Sequence, residues 1–220
     1  MCDGKQINEE MLNSLRQSLE NKKNSGGMSE KRYRHTIEVE KMVARLAHYY
    51  APEKELILRA AALLHDLTKE YSLDMQIMLC ARFGIAVTVT DYHAPKTFHA
   101  KTAAALIESE YPDFADGEVV DCVRWHTTGR AGMTLCEKLV YLADYIDMSR
   151  TFEDCVRLRE YFFGADIDNM SSEQRLAHLD DTLVLSFDMT MRGLLDEGVP
   201  ISPDTVAARN ELAVKRIERK

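Results

Sequence analysis

No stretch of this 220-residue sequence stays apolar for the roughly 18 residues that a membrane-spanning helix needs, so a membrane partner is not expected. The opening MCDGKQINEE lacks the apolar centre of a signal peptide, which makes the cytoplasm the expected location. Cysteines number five (Cys2, Cys80, Cys122, Cys136 and Cys155), and no CxxC spacing occurs. An odd count without paired spacing argues against a disulfide framework or a thiolate zinc site and fits a reducing compartment. Basic charge is also short: 28 Lys and Arg stand against 36 Asp and Glu, a formal net charge of -8. Broad nucleic-acid binding draws on a basic surface, so no nucleic-acid partner is expected. A phosphorylated small molecule remains open, because a bound metal inverts the charge locally. No repeat period or low-complexity tract is present.

What is present reads as helix after helix. The 45% hydrophobic and 29% charged fractions are those of a globular protein with enough chain for a sizeable core. Residues 1–28 look like an amphipathic opening helix on Ile7, Met11, Leu12, Leu15 and Leu19, ended by Asn24-Ser25-Gly26-Gly27. This N-terminal extension either packs on the main body or hangs from it. Ser29 is a plausible N-cap for a second helix with the stripe Val39, Met42, Val43, Leu46, Ala47 and Tyr50. Pro52 ends it and opens a helix from Glu53 to about Leu67. Further helices are expected near 73–83, 98–110, 116–127, 134–147, 173–196 and 204–219, the last opened by Ser202-Pro203. Only Ile85-Ala86-Val87-Thr88-Val89-Thr90 alternates as a strand would, and the same residues fit an extended loop as well. The expectation is an all-α fold with one main domain over 29–220. Met75, Met78 and Met133 are read as core filling.

Several polar residues fall where a core helix should be apolar. His35 shares the face of Val39, Met42 and Leu46, and His65-Asp66 directly follow the Ala60–Leu64 run. His99 aligns with Ala103, Leu106 and Ile107, His126 with Val119 and Val123, and Asp144 with Val140. A single histidine in such a place is more often a hydrogen-bonded core residue, and Asp144 alone could pair with an arginine. Unpaired, each would cost several kcal/mol in desolvation; one shared cation removes that penalty for all of them together. A donor set of imidazole and carboxylate without thiolate favours iron, manganese, cobalt or zinc over calcium or magnesium alone. The adjacent His-Asp pair suits a dinuclear centre, with Asp66 bridging two ions roughly 3.5–4 Å apart.

At this point the sequence resembles a known family. A lone His, then His-Asp, then a distant Asp is the pattern of the HD-domain metal-dependent phosphohydrolases. EKRYRHT at 30–36, LLHDLTKE at 63–70, FHAKTAAAL at 98–106, RWHTTGRAGM at 124–133, EKLVYLADYID at 137–147 and ISPDTVAARN at 201–210 narrow it to the branch usually called YqeK. Those are the symmetrical diadenosine tetraphosphate hydrolases of bacteria. The likeness runs from about Ser29 to Asn210.

The resemblance implies an HD-domain helical bundle and the metal ligands His35, His65, Asp66, His99, His126 and Asp144, with iron as first choice. In LCARFGIAVTVTDYHAPKTFH, His99 is taken as the ligand because it starts the helical small-residue run, with His93 the alternative. It also implies a dinucleoside polyphosphate substrate, cut to two nucleoside diphosphates by hydroxide generated at the two metal ions, with Asp66 catalytic. Lys69, one turn beyond His65-Asp66, is placed to reach a phosphate and joins Asp66 as a catalytic candidate. Arg130 could grip another phosphate bidentately, and Thr127 could donate a hydrogen bond. Lys69 has a plainer reading as a helix C-terminal cation, Arg130 as an ion pair with a carboxylate, and Thr127 as a loop residue. A homodimer is expected. The competing functions are another HD-type nucleotide phosphohydrolase, a non-catalytic nucleotide-binding HD module, and a metal-stabilised scaffold recruiting a partner through residues 1–28.

Overall fold

Polar caps divide the chain into its helices. Asn8, Ser29, Ser72, Asp116 and Ser202 each accept a hydrogen bond from a first-turn backbone N–H. Thr88, Thr134 and Ser171 do so within capping boxes completed by Asp91, Glu137 and Gln174. The structure is a computed structural model that describes residues 6–219. In chain order its helices are α1 (Glu9–Asn24), α2 (Glu30–Tyr50), α3 (Glu55–Leu64), α4 (Leu73–Arg82), α5 (Val89–His93) and α6 (Phe98–Glu110). Then come α7 (Gly117–Trp125), α8 (Leu135–Ile146), α9 (Glu153–Phe163), α10 (Ser172–Asp196) and α11 (Pro203–Glu218). The fold is all-α, and the described residues form no strand.

Packing follows the apolar stripes. α2 lies along both α3 and α8, α3 meets α7, α6 pairs with α7, and α10 is flanked by α9 and α11. Val39, Val43 and Leu46 of α2, Leu58 and Leu63 of α3, Leu139 and Leu142 of α8 and Phe187 of α10 share one core. This arrangement surrounds α3 with helices, so the residues at its C-terminal end arrive in the interior.

The opening segment is seated on the body: α1 buries Leu12, Leu15 and Leu19 in the same core. Its Arg16 pairs with Glu40 of α2, which also accepts from Arg59 of α3 at 3.0 Å. Residues 1–5 of the expected helix lie outside the described residues.

The alternating 85–90 segment is not a strand, in keeping with the all-α expectation; Thr88 and Asp91 cap each other and start α5. Two expectations are corrected. α3 stops at Leu64 rather than near Leu67, and the chain turns immediately after it. Met75 and Met78 are exposed on α4, whereas Met133 is buried as expected. No described helix is long and apolar enough to cross a membrane.

Candidate metal centre

The residues that stood out on apolar faces converge on one point. His35 comes from the first half of α2, and His65 and Asp66 follow the last residue of α3. His99 is in the first turn of α6, His126 caps the end of α7, and Asp144 is in the last turn of α8. All but Asp144 are buried to 6% exposure or less.

Asp66 organises the cluster. Its Oδ2 stands 3.2 Å from His65 Nε2 and 3.5 Å from His35 Nε2, and its Oδ1 stands 3.3 Å from His99 Nε2 and 3.8 Å from His126 Nε2. Asp144 Oδ1 joins the first pair, 2.9 Å from His35 Nε2 and 3.6 Å from His65 Nε2. The second pair closes on itself, with His99 Nε2 and His126 Nε2 3.0 Å apart.

The outer ring nitrogens explain how the inner ones are aimed. His65 Nδ1 lies 2.6 Å from the Ala62 carbonyl and His126 Nδ1 lies 2.7 Å from that of Val123. A carbonyl only accepts, so both rings donate from Nδ1 and turn Nε2 inward, the nitrogen that a bound cation would take in place of a proton. The loop after His126 depends on Gly129, which has φ +62° and would put a Cβ 2.7 Å from Phe187 Cζ.

Burial opposes charge on every one of these side chains, and their neighbours decide the result. At His65 the Asp66 and Asp144 carboxylates outweigh burial and raise the pKa to about 10. His35 is raised against burial by Asp144 and Asp147. Asp66 and Asp144 are held well below the carboxylate range despite burial, by His65 beside the first and Arg150 beside the second. His99 moves the other way, lowered by burial and by the Lys69 ammonium.

A cation fits this cluster. His35 Nε2, His65 Nε2 and Asp66 Oδ1 are buried without a hydrogen-bond partner, although each faces the shared space. Unsatisfied polar atoms of this kind are rare in a folded interior, and three on one point are the pattern of a ligand set. Two triads, His35–His65–Asp144 and His65–Asp66–His126, bring one donor atom from each residue within 4.8 Å of one another. With imidazole and carboxylate donors and no thiolate, the set matches the iron, manganese, cobalt and zinc range.

A cavity of about 380 Å³ opens beside the cluster and reaches it through His126 and Asp144. Lys69, Thr127 and Arg150 supply polar groups to its wall, and Tyr141, Tyr145 and Leu194 supply apolar surface. Lys69 Nζ is 3.2 Å from His99 Nε2, and Thr127 Oγ1 is 3.0 Å from the same atom. His93 lines the cavity without joining the cluster.

Arg130 is not brought to this cavity, contrary to its reading as a phosphate clamp. Its guanidinium is bidentate with fully buried Glu137, at 2.5 and 3.2 Å, and stands 3.5 Å from Asp121. The cavity's guanidinium is Arg150, which the sequence pattern did not single out. Arg32 of α2 pairs with Asp66. Asp147, completely buried, stands 3.2 Å from His35 Nδ1. Its signal was available: it closes LVYLADYID three residues after Asp144.

An all-helical bundle that gathers His, His-Asp and a distant Asp on one buried point has the features of an HD domain. The HD-domain family model matches residues 32–149, and the chain belongs to that family of metal-dependent phosphohydrolases. Within it, the chain is similar to proteins named symmetrical bis(5'-nucleosyl)-tetraphosphatase. It is 31% identical to the one from Bacillus subtilis over 84% of this chain and 91% of that protein. It is 29% identical to the one from Halalkalibacterium halodurans over 86% of this chain and 92% of that protein. Among solved structures, a predicted HD superfamily hydrolase involved in NAD metabolism from Clostridium acetobutylicum superposes with a TM-score of 0.76. The match is at 29% identity and covers 94% of this chain and 97% of that one.

Proposed function

We propose that this chain hydrolyses dinucleoside tetraphosphates symmetrically, converting diadenosine tetraphosphate and water to two ADP. The observation that carries the reading is Asp66, whose two oxygens face two separate pairs of histidines beside a cavity of about 380 Å³ that meets the cluster at His126 and Asp144. The proposed ligands are His35, His65, Asp66 and Asp144 for one ion, and His99, His126 and the second oxygen of Asp66 for the other, with iron as first choice. Bound there, the ions supply Lewis acidity and a nucleophile from water near neutral pH.

The remaining work falls to side chains on the cavity wall. Lys69 and Arg150 offer cations to the non-bridging phosphate oxygens, where charge accumulates as the anhydride bond breaks. Thr127 places a hydroxyl between the cluster and the cavity and can donate to the same phosphates. Tyr141 and Tyr145 give a nucleoside an apolar surface to lie against. Thr128 also lines the cavity, but its hydroxyl donates to the Gly129 carbonyl at 3.0 Å and its carbonyl accepts from Thr205 at 2.9 Å. A homodimer in the cytoplasm, without nucleic acid, completes the proposal.

Product analysis tests it. Protein purified without chelator and given ferrous iron, manganese or zinc should release two ADP per diadenosine tetraphosphate, and His65→Ala and Asp144→Ala should abolish the reaction. AMP plus ATP would overturn symmetrical cleavage, and no cleavage with any of these metals would overturn the substrate.

A further inference from the structure

The two histidine pairs of the cluster differ in what stands behind them. His65 and His126 are equivalent, each with Nδ1 on a backbone carbonyl. The contrast lies between His35 and His99.

Behind His35 Nδ1 there are only acceptors. Asp147 Oδ2 stands 3.2 Å away, and Ser149 Oγ, whose own proton goes to Asp147 Oδ1, stands 3.3 Å away. Asp147 is fully buried and fixed in place: its Oδ1 also accepts from Ser149 N at 2.8 Å. Arg159 holds the surrounding turn by donating to the carbonyls of Ile146 at 2.7 Å and Arg150 at 2.8 Å. The proton of His35 is thereby kept on Nδ1 and its lone pair on Nε2, and the carboxylate behind the ring strengthens it as a donor.

Behind His99 there is a cation. Lys69 Nζ is 3.5 Å from Nδ1 and 3.2 Å from Nε2. An ammonium offers three donors and no acceptor, and it lies nearer Nε2 than Nδ1, so its positive charge opposes a cation at the very nitrogen that faces Asp66. The charges repeat the contrast. Setting aside Asp66, which both positions share, and its partner Arg32, the His35 side holds Asp144, Asp147 and Arg150, whereas the His99 side holds Lys69 alone.

We infer that the two metal positions are unequal, Asp147 being a positioning residue that makes the His35–His65–Asp144 position fill first and hold its ion more tightly, and Lys69 a counter-charge that leaves the His99–His126 position the exchangeable one. This rests on the proposed ligand set.

The test is a titration of the full chain, stripped with chelator, with manganese(II), followed by calorimetry and by the electron paramagnetic resonance of the free ion. The wild type should bind two ions in classes at least tenfold apart. Asp147→Asn should weaken the tighter class by about 10–100-fold and leave the weaker one in place. Lys69→Met, on the cavity wall, should tighten the weaker class several-fold and leave the tighter one unchanged. Two equal sites in the wild type, or variants that shift both classes alike, would overturn the inference while leaving the ligand set standing. Binding of one ion or none would overturn the dinuclear reading and the inference with it. If Asp147→Asn fails to reach native helix content, Lys69→Met decides, and an unaltered weaker class in it overturns the inference.

Discussion

Arg150 donates through Nη2 to Asp144 Oδ1 at 2.5 Å, and the same oxygen stands 2.9 Å from His35 Nε2. Since Arg150 also lines the cavity, one guanidinium touches both a proposed metal ligand and the space where phosphates would lie. Burial works against its charge, but Asp144 outweighs burial and keeps it protonated. Arg150 therefore holds Asp144 in place while presenting fixed positive charge to the substrate.

Arg150→Ala should lower kcat/KM for diadenosine tetraphosphate by about 10–100-fold, the value of a hydrogen bond between charged groups. Arg150→Lys should recover only part, because an ammonium cannot reproduce the planar fork. Steady-state kinetics at saturating metal decides it, and an unchanged kcat/KM in the alanine variant would remove Arg150 from the substrate's path.

Arg130 should behave in the opposite way. Its partner Glu137 is fully buried and also accepts from Thr134 N at 3.0 Å, closing the cap of α8. Arg130→Ala leaves that carboxylate short of a partner, which should cost about 1–3 kcal/mol of stability. The KM for the tetraphosphate should stay within about twofold of wild type, a change of under 0.5 kcal/mol. Urea unfolding and kinetics on one preparation check both halves, and a raised KM at unchanged stability would return Arg130 to the site.

The cluster was legible in the sequence because burial and polarity conflict there. His35, His99 and Asp144 sit on stripes that the helical period assigns to the core, and a lone polar group on such a stripe needs a partner. The helix limits were legible where a cap fixes them: α6 spans 98–110 as expected, and α2 follows Ser29 directly. What escaped depended on contacts distant in sequence. Nothing local to RWHTTGRAGM tells whether Arg130 turns to a phosphate or to Glu137, since both fit a flexible guanidinium. Arg150 acts through a turn held by Arg159, which no periodicity reveals. The alternation over 85–90 makes no strand, in keeping with the all-α expectation, and the reciprocal cap of Thr88 with Asp91 starts α5 instead.

Removing metal should destabilise the fold. The native chain gathers donors that the unfolded chain scatters, so an ion held at 100 times its Kd adds about 2.7 kcal/mol to stability. Chelator should lower the melting temperature, and adding ferrous iron, manganese or zinc should restore it, with Asp66→Ala showing no response to metal. Calorimetry with and without chelator provides the measurement, and identical melting curves would mean that the cluster holds no ion in solution.

The helix α1 lies before the matched HD region, yet it is built into the core. Its three buried leucines each contribute on the order of 1.5–3 kcal/mol, and Arg16 balances Glu40, which is only 4% exposed. No residue of α1 lines the cavity beside the metal cluster. Leu15→Ala should therefore cost about 2–5 kcal/mol of stability while leaving kcat at 25 °C unchanged. Deleting residues 1–28 should lower the melting temperature strongly, because it uncovers the faces of α2 and α3 and leaves Glu40 with Arg59 alone. Circular dichroism melts of the two variants separate a structural helix from an appendage: a truncated chain that melts with the wild type would show that α1 contributes nothing to the core.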